Sequence, residues 1–166
     1  MMKYFVVSVD DNYVAPAFAS GYGIIDRKTL HRKKVFEIQK HLLFQVNRHM
    51  QMVFTDVITF PCFMVSETVK ASIKIYHPFL KYVRIILLQK EKERSMAYYI
   101  PYLEQVEAGR RGSGKGIFME REKAGEKAVM EMVEGDKSYI VMRMDLVESI
   151  LRRGAIGIGL REIDVI

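Results

Sequence analysis

Two hydrophobic rhythms alternate along this chain, and one arrangement of them occurs twice. Residues Pro61–Leu88, PCFMVSETVKASIKIYHPFLKYVRIILL, and Tyr139–Ile166, YIVMRMDLVESILRRGAIGIGLREIDVI, each read as an apolar strand, a short amphipathic helix and a second apolar strand. A shift of 78 residues, the distance from Met64 to Met142, aligns the two without a gap. Glu67 then meets Asp145, Val69 meets Val147, Ile73 meets Leu151 and Ile85 meets Ile163. Identities fall only at the pairs 64/142, 69/147 and 85/163, so the repeat is one of rhythm and not of demonstrable ancestry.

The local signals agree with that division. In the first copy, Phe60–Val65 is a continuous apolar run, as in a strand buried on both faces. Ser66 follows as a helix N-cap with Glu67 in the first turn, Val69, Ile73 and Tyr76 form the apolar stripe, and Pro78 stops the helix. In the second copy, Ile140–Met142 is the strand and Asp145 the expected cap. Val147, Ile150 and Leu151 form the stripe, Arg152 and Arg153 suit the negative helix end, and Gly154 is the stop. Elsewhere Tyr4–Val9 and Tyr98–Leu103 read as strands, the latter with one tyrosine ring in and one out. Asp10–Gly23, Gln89–Arg94 and Gly135–Asp136 read as turns or loops, and Arg27–His49 leans towards strands interrupted by turns. Residues 117–133 mix both periods. The expectation is an α+β fold over residues 1–166: a single domain with a mixed or antiparallel sheet and short helices from two strand–helix–strand units.

Composition fits such a domain. At 166 residues the chain is long enough to bury roughly 70% of its unfolded surface, and 49% apolar with 28% charged residues is ordinary for a globular protein. No apolar run approaches the ~20 residues needed to span a bilayer, so no membrane association is expected. The one cysteine, Cys62, is expected as a small buried hydrophobe inside the first apolar strand, and its solitude makes the cytoplasm the default compartment.

Net charge is +6. Residues 26–40 hold six positive and two negative groups, and Arg110, Arg111 and Lys115 form a second basic cluster. Arg32, Lys33, Lys34, Arg110, Arg111 and Lys115 are therefore the candidate partner contacts, for an acidic protein face or for nucleic-acid phosphates. The segment Gly109–Gly116, GRRGSGKG, falls one residue short of a phosphate-binding loop: Gly116 stands where a Ser or Thr hydroxyl would meet magnesium. A surface turn is the preferred reading. His31, His41, His49 and His77 are scattered without metal-ligand spacing, Asp10–Asp11 reads as a turn, and no nucleophile elbow surrounds Ser66. The expectation is a non-enzymatic protein with no catalytic residue, metal or cofactor.

The strings FTDVITFPCFMVSETV, VRIILL, AYYIPYL and SYIVMRMDLVESILRRGAIGIGLREI, within residues 52–166, resemble a family of small bacterial domains. That family is grouped with the immunity proteins of polymorphic toxin systems. Ser66-Glu67 and the closing glycines Gly154 and Gly157 carry the likeness, while the second copy has Met144-Asp145 in place of Ser-Glu. The resemblance implies an α+β binding protein that neutralises a cognate bacterial toxin by covering it, with no catalytic residue to carry over. A nucleic-acid-binding module built on residues 26–40 and 109–116 is the alternative, and a nucleotide-binding enzyme built on Lys115 a remoter one.

Overall fold

The computed structural model describes residues 2–20, 25, 42–110 and 116–166; of Arg110 it describes the backbone. The strands in chain order are β1 (Tyr4–Val9), β2 (Leu42–Gln45), β3 (Val57–Ile58), β4 (Met64–Val65), β5 (Tyr82–Gln89), β6 (Arg94–Pro101) and β7 (Gln105–Glu107). They continue with β8 (Gly109–Arg110), β9 (Ile117–Phe118), β10 (Val129–Glu134), β11 (Lys137–Arg143) and β12 (Ile158–Ile163). The helices are α1 (Glu67–Tyr76), α2 (Arg121–Ala124) and α3 (Met144–Arg152). Among the described residues the strands form two mixed five-stranded sheets, ordered β12-β1-β11-β10-β7 and β2-β5-β6-β4-β3, and a small β8–β9 hairpin. The fold is α+β, as the hydrophobic rhythm requires.

Each repeat copy builds its own sheet, where one shared sheet was expected. β4 and β5 both run antiparallel to β6, which lies between them. β11 and β12 both run antiparallel to β1, which lies between them. Each strand–helix–strand copy is thus a split unit with one strand inserted. The likeness extends outward: β3 makes a hairpin with β4, as β10 does with β11. Two β-β-α-β-β arrangements result. In the first the inserted strand follows in sequence, whereas in the second it is the distant β1.

Three apolar clusters hold the sheets. The middle one draws on both: Val7, Ile140 and Met142 from one sheet, Val57 and Val65 from the other, and Val69, Ile73, Leu146, Val147 and Ile150 from helices α1 and α3. Phe18, Ile25 and Met52 cover the far side of β2, β5 and β6, and Met119 and Ala124 cover the far side of the β1 sheet.

One polar node ties the two units together. Asp56 accepts hydrogen bonds from the Ser66 hydroxyl and, at 2.7 Å, from the backbone N–H of Ile156. Its own N–H donates to the Ile156 carbonyl at 3.0 Å. The chain passes this point at Gly157, whose φ of +73° and crowding against Thr55 leave no room for a Cβ.

Several sequence expectations hold: β1 as bounded, the Ser66 cap bonded to the Val69 N–H at 3.4 Å, the stop at Pro78, and Gly154 with φ +79° after α3. The Asp10, Gln89–Arg94 and Gly135–Asp136 turns are also as expected. Others are corrected. The first apolar run is a strand only at Met64–Val65; Phe60–Cys62 is a bend, so Cys62 is buried but not in a strand. The N-cap of α3 is Arg143. Asp145 lies inside the first turn, gripped by Arg143 through Nε and Nη2, each at 2.8 Å. Leu151 is exposed, and Leu146 takes its expected place in the core. Among the described residues no helix is long and apolar enough to cross a membrane.

Candidate functional site

β2, β5 and β6 bury one face against Phe18, Ile25 and Met52, and among the described residues the opposite face is exposed at Leu43, Gln45, Arg84 and Ser95. The cause lies in the period of two. Val83, Ile85 and Leu87 point into the core, so Arg84, Ile86 and Leu88 point away from it. Pairing then builds rows across the strands: Arg84 opposite Tyr99, Leu43 opposite Ile86 opposite Ala97, and Gln45 opposite Leu88 opposite Ser95. Leu43 is 64% exposed, with Ile86 and Ala97 half-buried beside it. An apolar row at the centre of an open sheet face is flanked by Arg84 and Gln45 and by the charged turn Lys90–Lys92.

Helix α1 closes one end of this face. Lys70 places its ammonium 3.7 Å from the ring centre of Tyr99 and pairs with Glu67 at 3.6 Å. A hydrogen bond from Tyr99 holds the Glu67 carboxyl below its ordinary range, and the same bond raises the Tyr99 hydroxyl. Tyr98, one residue earlier, points the other way: it is fully buried and donates to the Thr55 carbonyl at 2.7 Å. One ring in and one out is what the sequence suggests.

A second feature lies between the sheets. A cavity of about 280 Å³ is bounded by β1, β10 and β11 on one side and by the bend before β4 and the ends of β5 and β6 on the other. Its lining is mostly apolar, including Phe63, Val83, Ile100 and Ile140. Ser8, Thr59 and Ser138 add hydroxyls, and among the described lining residues Glu131 alone is charged. This carboxylate, on a residue 7% exposed, accepts from Gln105 Nε2 at 3.0 Å. Cys62 also lines the cavity.

The candidate contacts chosen from the sequence lie elsewhere. Arg32, Lys33, Lys34, Arg111 and Lys115 fall outside the described residues, and Arg110 is placed only by its backbone in β8, opposite Ile117. Gly109–Gly116 is entered by one strand and left by an antiparallel one, so the helix that a phosphate-binding loop requires after it is replaced by β9. His49 Nδ1 accepts from the Gln51 N–H at 3.2 Å, while His77 Nε2 accepts from the Ala128 N–H at 3.4 Å; His31 and His41 fall outside the described residues. Among the described residues no group of three metal-ligating side chains is assembled.

Leu43, Ile86 and Glu131 have no prominent signal in the sequence. Leu43 and Ile86 meet only through the parallel pairing of segments forty residues apart, and the run IILL hides its alternation. Glu131 sits in VMEMVE, where one acid among apolar residues reads as the wet side of a strand. No protein-family model matches the chain, and no curated protein matches it.

Proposed function

We propose that this chain is a non-enzymatic protein-binding module, an immunity protein that neutralises a cognate bacterial toxin domain by covering it. The open face of β2, β5 and β6 is the observation that carries the reading. An apolar centre with a polar and charged margin is the anatomy of a protein-binding surface. The row Leu43–Ile86–Ala97 supplies the apolar centre, and Arg84, Gln45 and the Lys90–Lys92 turn supply the margin. The resemblance of residues 52–166 to immunity domains supplies the class of partner. Basic residues add steering towards an acidic face of that partner.

The test is co-expression with each toxin domain encoded beside this chain. Rescue of growth and a one-to-one complex are expected, and both should be lost in Leu43→Asp. Leu43 is 64% exposed, so that change should move stability by no more than about 0.5 kcal/mol. Failure to rescue against every adjacent toxin, or full rescue by Leu43→Asp, overturns the reading. Binding to DNA or RNA that falls steeply with salt, in place of a protein complex, assigns the chain to the nucleic-acid alternative instead.

A further inference from the structure

Strand β12 lies at the edge of its sheet and runs for six residues. The other edge strands are short: β7 has three residues, β3 has two, and β2 has four with the Phe18–Val46 bridge beside its end. Among the described residues, the outer side of β12 is hydrogen-bonded only past its end, where the Met119 N–H donates to the Asp164 carbonyl at 2.9 Å and the Ile166 N–H to the Met119 carbonyl at 3.0 Å. Alternation tells which groups face outward. The Asp10 N–H donates to the Gly157 carbonyl at 3.0 Å, so Gly157, Gly159 and Arg161 turn their backbone groups towards β1. Ile158, Leu160 and Glu162 therefore turn N–H and C=O outward, as a template for one more strand. Their side chains share the helix face of the sheet. Leu160 lies opposite Val7 and lines one small apolar pocket with Leu151 of α3. Leu160 is 38% exposed and Leu151 45%, which leaves an apolar strip along the edge.

We propose that β12 pairs with β12 of a second copy of this chain, antiparallel about a two-fold axis at Leu160, so that two sheets become one. A two-fold interface matches a patch with itself, and this row is symmetric: three outward residues with the apolar Leu160 at the centre. Charge selects the register. An axis at Arg161 would set two guanidinium groups opposite each other, and one at Glu162 two carboxylates. An axis at Gly159 would leave the outward groups of Glu162 without a counterpart. The axis at Leu160 sets Leu160 on its own copy, Ile158 on the second copy's Glu162, and Arg161 on the second copy's Gly159, which has no side chain to displace. Lys3 neutralises Glu162 at 3.0 Å from its own chain. The two α3 helices then flank the seam on one face, and Leu151 and Leu160 of both copies come under cover. The face proposed for the toxin belongs to the other sheet, so the two proposals stand or fall by separate experiments.

Sedimentation equilibrium of the full chain is the test, with circular dichroism showing that each variant is folded. A concentration-dependent dimer is expected. Leu160→Lys should weaken it about tenfold or more, because two ammonium groups then meet across the axis. Leu43→Asp, on the other sheet, should leave it unchanged. Cross-linking with oxidised glutathione, in a Cys62→Ala background, reads the register. Opposed residues of a hydrogen-bonded pair stand about 5.5 Å apart at Cα, within disulfide range. Leu160→Cys should therefore give a disulfide-linked dimer. Glu162→Cys should not, because its two copies stand four residues apart along the seam, roughly 13 Å. A monomer at every concentration up to the solubility limit, a dimer unweakened by Leu160→Lys or lost in Leu43→Asp, or cross-linking through Glu162→Cys in preference to Leu160→Cys overturns the proposal.

Discussion

The two β-β-α-β-β units differ by one residue at the start of their helices, and the buried stripes of those helices overlap without coinciding. The 78-residue shift matches Met64 with Met142 and Ile85 with Ile163, all of them buried. Within the helices it holds in part: Val69 and Val147, and Ser72 and Ile150, are buried at matched positions. It places Leu151, 45% exposed, on Ile73, which is fully buried. Helix α1 is capped at Ser66, whose counterpart would be Met144, but α3 is capped one residue earlier, at Arg143. Counted from the caps, a different two of the three buried positions agree. The third helical residue is buried in both, Val69 and Leu146, and so is the seventh, Ile73 and Ile150. One residue turns a helix by roughly 100°. The change of cap goes with the exchange of Leu151 for Leu146 in the core, while Val147 and Ile150 stay buried.

The largest effect that can break this comparison comes from the two leucines. Leu146→Ala should cost about 3 kcal/mol in chemical denaturation, as for a core leucine, and Leu151→Ala less than about 0.5 kcal/mol. Equal losses would mean that Leu151 contributes to the core as the sequence repeat places it.

A smaller contrast separates two tyrosines of the first unit. The Tyr98 hydroxyl is buried and donates to Thr55, whereas the buried Tyr82 hydroxyl has no hydrogen-bond partner among the described residues. Burial pushes Tyr82 up to about 12. The shift puts Tyr82 on Leu160, so the second unit holds no hydroxyl there. Tyr98→Phe should destabilise by about 1.5 kcal/mol, because the Thr55 carbonyl loses its donor. Tyr82→Phe should stabilise by about 1 kcal/mol, because it removes a buried polar group that nothing satisfies. Loss of stability in Tyr82→Phe would show that its hydroxyl has a partner in the folded protein.

How far the sequence discloses this architecture follows from the range of each signal. Ser66, Pro78 and Gly154 act on the backbone within a few residues, and the structure places all three as their chemistry requires. Periodicity is nearly as local, so β1, α1 and α3 are legible. The α3 cap is not, because Asp145 is a better intrinsic cap than Arg143 and is held inside the helix by the Arg143 guanidinium. Sheet membership is non-local altogether. That β1 enters the second unit, or that Leu43 lies beside Ile86, depends on pairing between distant segments. The candidate surfaces depend on such pairing. The basic residues picked from the sequence stand out by charge alone, and charge reports what a surface attracts without locating that surface.

The smallest effect, and the finest test of equivalence, concerns two acids that the shift superposes. Glu67 and Asp145 both stand in the first helical turn, and both carboxyls lie below their ordinary range. The leading cause differs: a hydrogen bond with the neutral Tyr99 hydroxyl for Glu67, and a hydrogen-bonded ion pair with Arg143 for Asp145. A depressed folded value gives stability that is fully present above the unfolded carboxyl range, about 3.9 to 4.3, and is lost as pH falls through the folded value. Both side chains are more than a third exposed, so each contribution should not exceed about 0.5 kcal/mol. The difference in cause should therefore appear in titration midpoints followed by carboxyl NMR. Raising salt to about 1 M should move Asp145 up towards its ordinary value more than Glu67, since screening weakens charge pairs more than neutral hydrogen bonds. Arg143→Met should raise Asp145 and leave Glu67 in place, and Tyr99→Phe should do the reverse. If Arg143→Met leaves Asp145 low, the helix N-terminus alone sustains the shift, and the two units are electrostatically alike where their side chains suggest they differ.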